Sequence, residues 1–180
     1  AKASFSHTFV NDRTTAKIHI YKVDKESGKA AAQGDASLEG AVYGLYARND
    51  IVHPDGATGV VFKAGDLVAT LTTDKNGEAE VSNLYLGNYY VKEITPSEGY
   101  LLDEEEHDVV CDYEGDLVAE VSRSTTSAEQ VIKQPFQLIK VSDNGDDTEA
   151  GLLAGAEFTA YLKSSLPVKA DGCLLYTSDA

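Results

Sequence analysis

Apolar and polar residues alternate through most of this chain, in short runs closed by turn-forming residues. In KIHIYKVD, Ile18, Ile20 and Lys22 fall on one face of a strand spanning 17–24, because successive strand side chains point to opposite sides. Similar runs predict strands at 41–47, 67–73, 78–82, 88–95, 108–113, 117–121 and 128–133. Between them lie His53-Pro54-Asp55-Gly56, Leu86-Gly87 and Pro96 to Gly99, all strong turn signals, with a polar surface loop expected around His53. Asp74-Lys75-Asn76-Gly77 predicts a tight hairpin, and Glu114-Gly115-Asp116 a second one pairing 108–113 with 117–121. No amphipathic helix is predicted, so the expected fold class is an all-β sandwich.

The pattern repeats. Phe136, Leu138 and Lys140 share a strand face as Ile18, Ile20 and Lys22 do, and LEGAVYGLYA after Lys22 is echoed by LAGAEFTAYL after Lys140. Aligning Leu38 with Leu153 gives a unit of about 115 residues, a normal domain size. Residues 14–134 are then one complete unit and 135–172 begin another. Residues 1–13, with Phe5, His7, Phe9 and Asn11 on one face, read as the last strand of a preceding unit. Residues 173–180 resemble the in-frame translation of a sequencing adapter and are excluded from the fold as an artefact. An inward lysine without a partner is very costly, so Lys22 and Lys140 need partners or a chemical purpose.

Thirty acidic against fifteen basic side chains, a formal charge of −15, make nucleic acid and anionic membranes poor partners. No run is apolar and long enough to span a bilayer. The chain begins at Ala1 and has no methionine, so it is expected to be a piece of a longer protein whose targeting signals lie elsewhere. Only Cys111 and Cys173 are present. Cys111 sits in a strand-like run as a small core residue, and no disulfide framework is expected.

No cofactor or metal is expected. Asp74, Asn76 and Glu80, and the run Asp143 to Asp147, loosely resemble calcium loops but lack the ligand spacing. His7, His19, His53 and His107 show no metal-ligand spacing. The consecutive Glu104, Glu105 and Glu106 read as a solvated loop rather than a paired-carboxylate site. Tyr43, Tyr46, Tyr85, Tyr89 and Tyr90 could present a glycan- or matrix-binding platform, although alternation assigns several to packing.

The ordered set KVDKESG, LEGAVYGLY and TLTTDKNGEAEVSNLYLGNYYVKEITPSEGY resembles the Cna-B or SpaA-type (prealbumin-like) domains of Gram-positive surface adhesins and pilins. The resemblance runs through residues 17–134 and resumes at 136–163. It implies a transthyretin-like sandwich repeated in tandem in an extracellular, cell-wall-attached stalk, often closed by an internal Lys–Asn isopeptide bond. By position it implies Lys22 as nucleophile and Glu93 as the proton-shuttling acid. Alternation agrees, since Tyr89, Val91 and Glu93 share one strand face.

The chain departs from that pattern at the acceptor. Asn11 precedes Lys22 by eleven positions, but eleven before Lys140 stands Glu129, with Gln130 beside it near Ala128 and Ile132. Glu129 would have to lose water, a harder reaction, so either Gln130 supplies the amide, or the bond is gone and Lys22 and Glu93 persist as a buried ion pair. Asn11 and Lys140 would act as acceptor and nucleophile of neighbouring units. The implied function is a structural stalk module whose partners are adjacent repeats, with at most one autocatalytic turnover. The alternative is a module that itself binds host glycan or extracellular matrix.

Overall fold

The structure, a computed structural model, describes residues 6–8, 12–138, 140 and 155–160. The chain divides into two units between Ile132 and Lys133. In the first, the described residues form nine strands: β1 (Thr15–Asp24), β2 (Val42–Ala47), β3 (Ile51–Val52), β4 (Val60–Phe62), β5 (Leu67–Thr72), β6 (Glu78–Leu84), β7 (Gly87–Thr95), β8 (His107–Cys111) and β9 (Glu120–Glu129). They make a three-stranded sheet ordered β6-β1-β9, a four-stranded sheet ordered β5-β2-β7-β8, and the small β3-β4 ribbon. The two larger sheets pack face to face as a sandwich.

The core follows from alternation. Ala16, Ile18 and Ile20 of β1 and Val121 of β9 are buried with Tyr43 and Leu45 of β2, Tyr89 and Val91 of β7, and Val109 and Cys111 of β8. Removing these apolar surfaces from water holds the two sheets face to face. Burial also pushes the Cys111 thiol up to about 11, so it packs as an inert hydrophobe.

β1 and β9 are neighbours and parallel, paired from Thr15↔Glu120 to Asp24↔Glu129. The first strand therefore begins at one pole of the sandwich, and the last ends at the opposite pole.

Three local expectations are corrected. Asp74 to Gly77 does make a turn, but β5 and β6 on either side belong to different sheets. Each pairs with its own partner because Leu71 and Ala79 must face the shared core. Residues 117–119 form no strand, and β8 pairs with β7 instead. The last strand starts at Glu120 rather than 128; its central inward positions, Arg123, Thr125 and Ser127, are polar and hide the alternation. The stretch around His53 is the expected surface loop, framed by the β3-β4 ribbon.

In the second unit, residues 133–138 take no regular structure, and Phe136, Leu138 and Lys140 are exposed. The expected strand and inward lysine are not seen there. A strand without a paired neighbour leaves its backbone groups to water and gains no ladder.

Candidate functional site

Lys22 lies at the fourth inward position of β1 and is wholly buried. Its backbone is fixed on both sides. β9 pairs with it along one edge, and its N–H donates to Gly77 O at 2.7 Å on the other. Glu93 enters from β7 and Glu129 from the end of β9, and both are buried. Lys22 Nζ is 3.5 Å from Glu93 Oε1 and meets Glu129 Oε2 directly. Among the described residues, Nζ, Glu93 Oε1 and Glu129 Oε2 have no hydrogen-bonding partner beyond one another. Nζ also stands 4.8 Å from the centre of the Tyr100 ring, whose π face favours a cation.

The remaining carboxylate oxygens are engaged. Tyr43 Oη donates to Glu129 Oε1 at 2.5 Å, and Ser127 Oγ is 3.1 Å from the same atom. The Asp103 N–H donates to Glu93 Oε2 at 2.8 Å. Burial lowers the Lys22 ammonium from its ordinary value, with Glu93 opposing the shift. Burial raises Glu93, against the Asp103 N–H and Lys22. Both directions favour the uncharged forms. A neutral amine is a nucleophile, and a neutral carboxylic acid can donate a proton.

Of the residues singled out from sequence, the structure gathers Lys22, Glu93 and Glu129 and leaves Gln130 apart. Gln130 Nε2 donates to Glu26 Oε1 at 2.7 Å on the surface. The reason is pleat parity: the buried positions of β9 are odd-numbered, so Ala128 and Gln130 point away. Asn11 lies outside the described residues, as does 143–147, and Lys140 is exposed outside any strand. Asp74 is occupied by its own turn, accepting from the N–H groups of Asn76 and Glu78. Tyr43 and Tyr89 are core residues. Tyr46 and Tyr90 stack on the outer face with Arg48 over the Tyr90 ring.

Sequence reasoning missed Tyr43, Tyr100, Asp103 and Ser127 as neighbours of the lysine. Tyr43 was discoverable, being in phase with Leu45 on β2. Asp103 lies between β7 and β8, where no periodicity applies.

A family model for the SpaA prealbumin-like fold domain matches residues 16–125. Among solved structures, the chain is similar to a streptococcal ancillary pilin (30% identity, 67% of this chain and 34% of that one, TM-score 0.41). It is similar to GBS52, the minor pilin of Streptococcus agalactiae (23% identity, 71% and 49%, TM-score 0.44), and to the group B streptococcus pilus 2b backbone protein (21% identity, 68% and 43%, TM-score 0.44). The chain thus spans less than half the length of these pilins. No characterised protein in a curated set matches it.

Proposed function

We propose, from the premise that this chain belongs to the SpaA prealbumin-like fold domain family, that residues 14–134 form one tension-bearing stalk module of a Gram-positive surface adhesin or pilin. Neighbouring repeats, one before and one starting at 135, are its direct partners, and the parent protein is extracellular and attached to the cell wall.

One observation carries the reading: Lys22 of the first strand and Glu129 of the last meet in the core beside Glu93. Pulling on the two poles loads parallel β1 and β9 in shear, so their ladder must fail together rather than unzip. A covalent Lys22–Glu129 amide would shorten the load path further, since everything from 23 to 128 would be bypassed.

The chemistry balances within the cluster. Neutral Nζ attacks Cδ of protonated Glu129; the N–C bond forms and a C–O bond breaks. Glu93 gives its proton to the departing oxygen, which leaves as water, and takes one from Nζ in return. Amide formation from an acid is unfavourable in bulk water, but burial removes the competing solvent, and packing supplies the proximity. The module therefore makes one bond as it folds and does not turn over.

Intact mass tests this. The chain is expected to weigh one water less than its sequence, and Glu129→Ala or Glu93→Ala should restore the full mass. Full wild-type mass would overturn the covalent clasp, and complete unfolding extension in single-molecule pulling would overturn the bypass. Reproducible capture of a glycan or matrix protein by this unit alone would replace the stalk reading with the binding one.

A further inference from the structure

We propose that Asp103 and His107 form a relay that brings the buried cluster the one proton it needs to react, making closure of the clasp pH-dependent. The proposal rests on the Lys22–Glu129 bond reading and names how that site is regulated.

The need for a proton follows from charge. An unfolded chain near neutrality carries one positive charge on Lys22 and one negative charge on each of Glu93 and Glu129. Enclosing these with no other ion leaves a net negative charge in the core, which is very costly. One added proton makes the trio neutral and supplies the protonated acid that the reaction uses.

A path leads inward. His107 Nε2 is 2.7 Å from Asp103 Oδ2, and the two side chains are 18% and 12% exposed, whereas those of Lys22, Glu93 and Glu129 are at 0%. Ser127 Oγ is 2.9 Å from Asp103 Oδ2 and 3.1 Å from Glu129 Oε1. One hydroxyl hydrogen cannot serve two carboxylates, so the second contact is a hydrogen bond only when one acid carries a proton. Burial raises the Asp103 carboxyl, but His107, the Glu105 N–H and Ser127 outweigh it and hold the group below its ordinary range, and Glu129 stands at the inner end of the path. Tyr43 Oη donates to the same Glu129 oxygen.

Asp103 is also tied to the second acid, because its N–H bonds Glu93. Asp103 and Glu129 also line an open cavity of about 150 Å³ with Leu101 and Leu102. The ionisable groups facing the relay are Lys22, Glu93, Glu129 and Tyr43 on its inner side and Lys25 across the cavity. His107 is the more exposed member of the pair and so the end at which the path meets water. Asp103 and His107 are thus positioning and relay residues, with Lys22, Glu93 and Glu129 at the reacting atoms.

The test is a time course. The full chain is pulse-labelled in cell-free synthesis, chased into buffers from mildly acid to mildly alkaline, quenched, and weighed intact. Wild type should lose water faster as pH falls. His107→Ala should slow the loss by about a hundredfold at neutral pH and flatten its pH profile, and added imidazole should restore most of the rate. Ser127→Ala should slow it without imidazole rescue. Circular dichroism confirms that each variant folds. A His107→Ala chain that loses water at the wild-type rate, or slowly with no response to imidazole, overturns the relay alone. A wild-type chain that keeps its full mass overturns the relay and the bond together.

Discussion

Lys22 and Asp24 stand two residues apart on the inward face of β1, and both are completely buried, yet the fold treats them in opposite ways. Asp24 is saturated with donors. It accepts from the Ser27 N–H at 2.7 Å, from Gln33 Nε2 at 2.9 and 3.0 Å, and from Tyr100 Oη at 3.2 Å. Those bonds, the Ser27 N–H first, hold its carboxyl at about 2 against an ordinary 3.8. Lys22 has only two carboxylates to meet, and the atoms facing one another have nothing else to bond. The lesson is that burial alone does not make a charged group reactive. A fully bonded carboxylate becomes a fixed corner of the fold, while a trio left to one another has a reason to exchange protons and close a bond.

The comparison is broken most severely at Lys22. Lys22→Met keeps the volume but strands two carboxyl groups and removes the clasp, which would close a loop of about a hundred residues. A loss of about 4 to 5 kcal/mol is expected in denaturant unfolding. A loss under about 1 kcal/mol would mean that the trio is no more than a tolerated ion cluster.

Gly77→Ala acts on the same lysine from behind. Gly77 has φ +77°, and an added Cβ would fall 2.6 Å from Lys22 O, so both the backbone and the contact resist it. About 2 to 3 kcal/mol of destabilisation is expected from the thermal midpoint. An unchanged midpoint would show that the turn can move away from β1.

The two regions should also respond to pH with opposite signs. Asp24 is depressed in the fold, so its contribution is fully present above 3.8 and is lost as pH falls through about 2. Asp24→Asn should therefore flatten the acid limb of the stability curve. Glu93 is raised in the fold, so in an unbonded chain its ionisation works against folding as pH rises above its ordinary 4.5. Glu129→Ala, which cannot form the bond, isolates that slope, and adding Glu93→Gln should remove it. Matching slopes for the two sites would erase the distinction drawn between them.

The smallest effect sharpens the acceptor. Gln130→Ala should change stability by no more than about 0.5 kcal/mol and leave the missing water in place. Recovery of full mass in that variant would return the acceptor role to Gln130.

Much of this was legible in the chain itself. Ile18, Ile20 and Lys22 on one face, and Tyr89, Val91 and Glu93 on another, follow from the period of two, and that period survives folding because one face of each sheet must be dry. The all-β sandwich and the inward placement of lysine and glutamate were thus determined locally. The order of motifs from KVDKESG to VKEITPSEGY carried the family.

Tertiary structure decided the rest. β9 has polar residues at its central inward positions, so its start and its parity were invisible until β1 paired with it, and that parity turned Glu129 inward and Gln130 out. Whether the Asn-Gly turn closes a hairpin or joins two sheets depended on where Leu71 and Ala79 found a common core. Asp103, His107 and Ser127 come together from a loop and two strands on different sheets. Short-range periodicity records which way a side chain points relative to its own neighbours, and nothing in it records what will stand opposite once the sheets close.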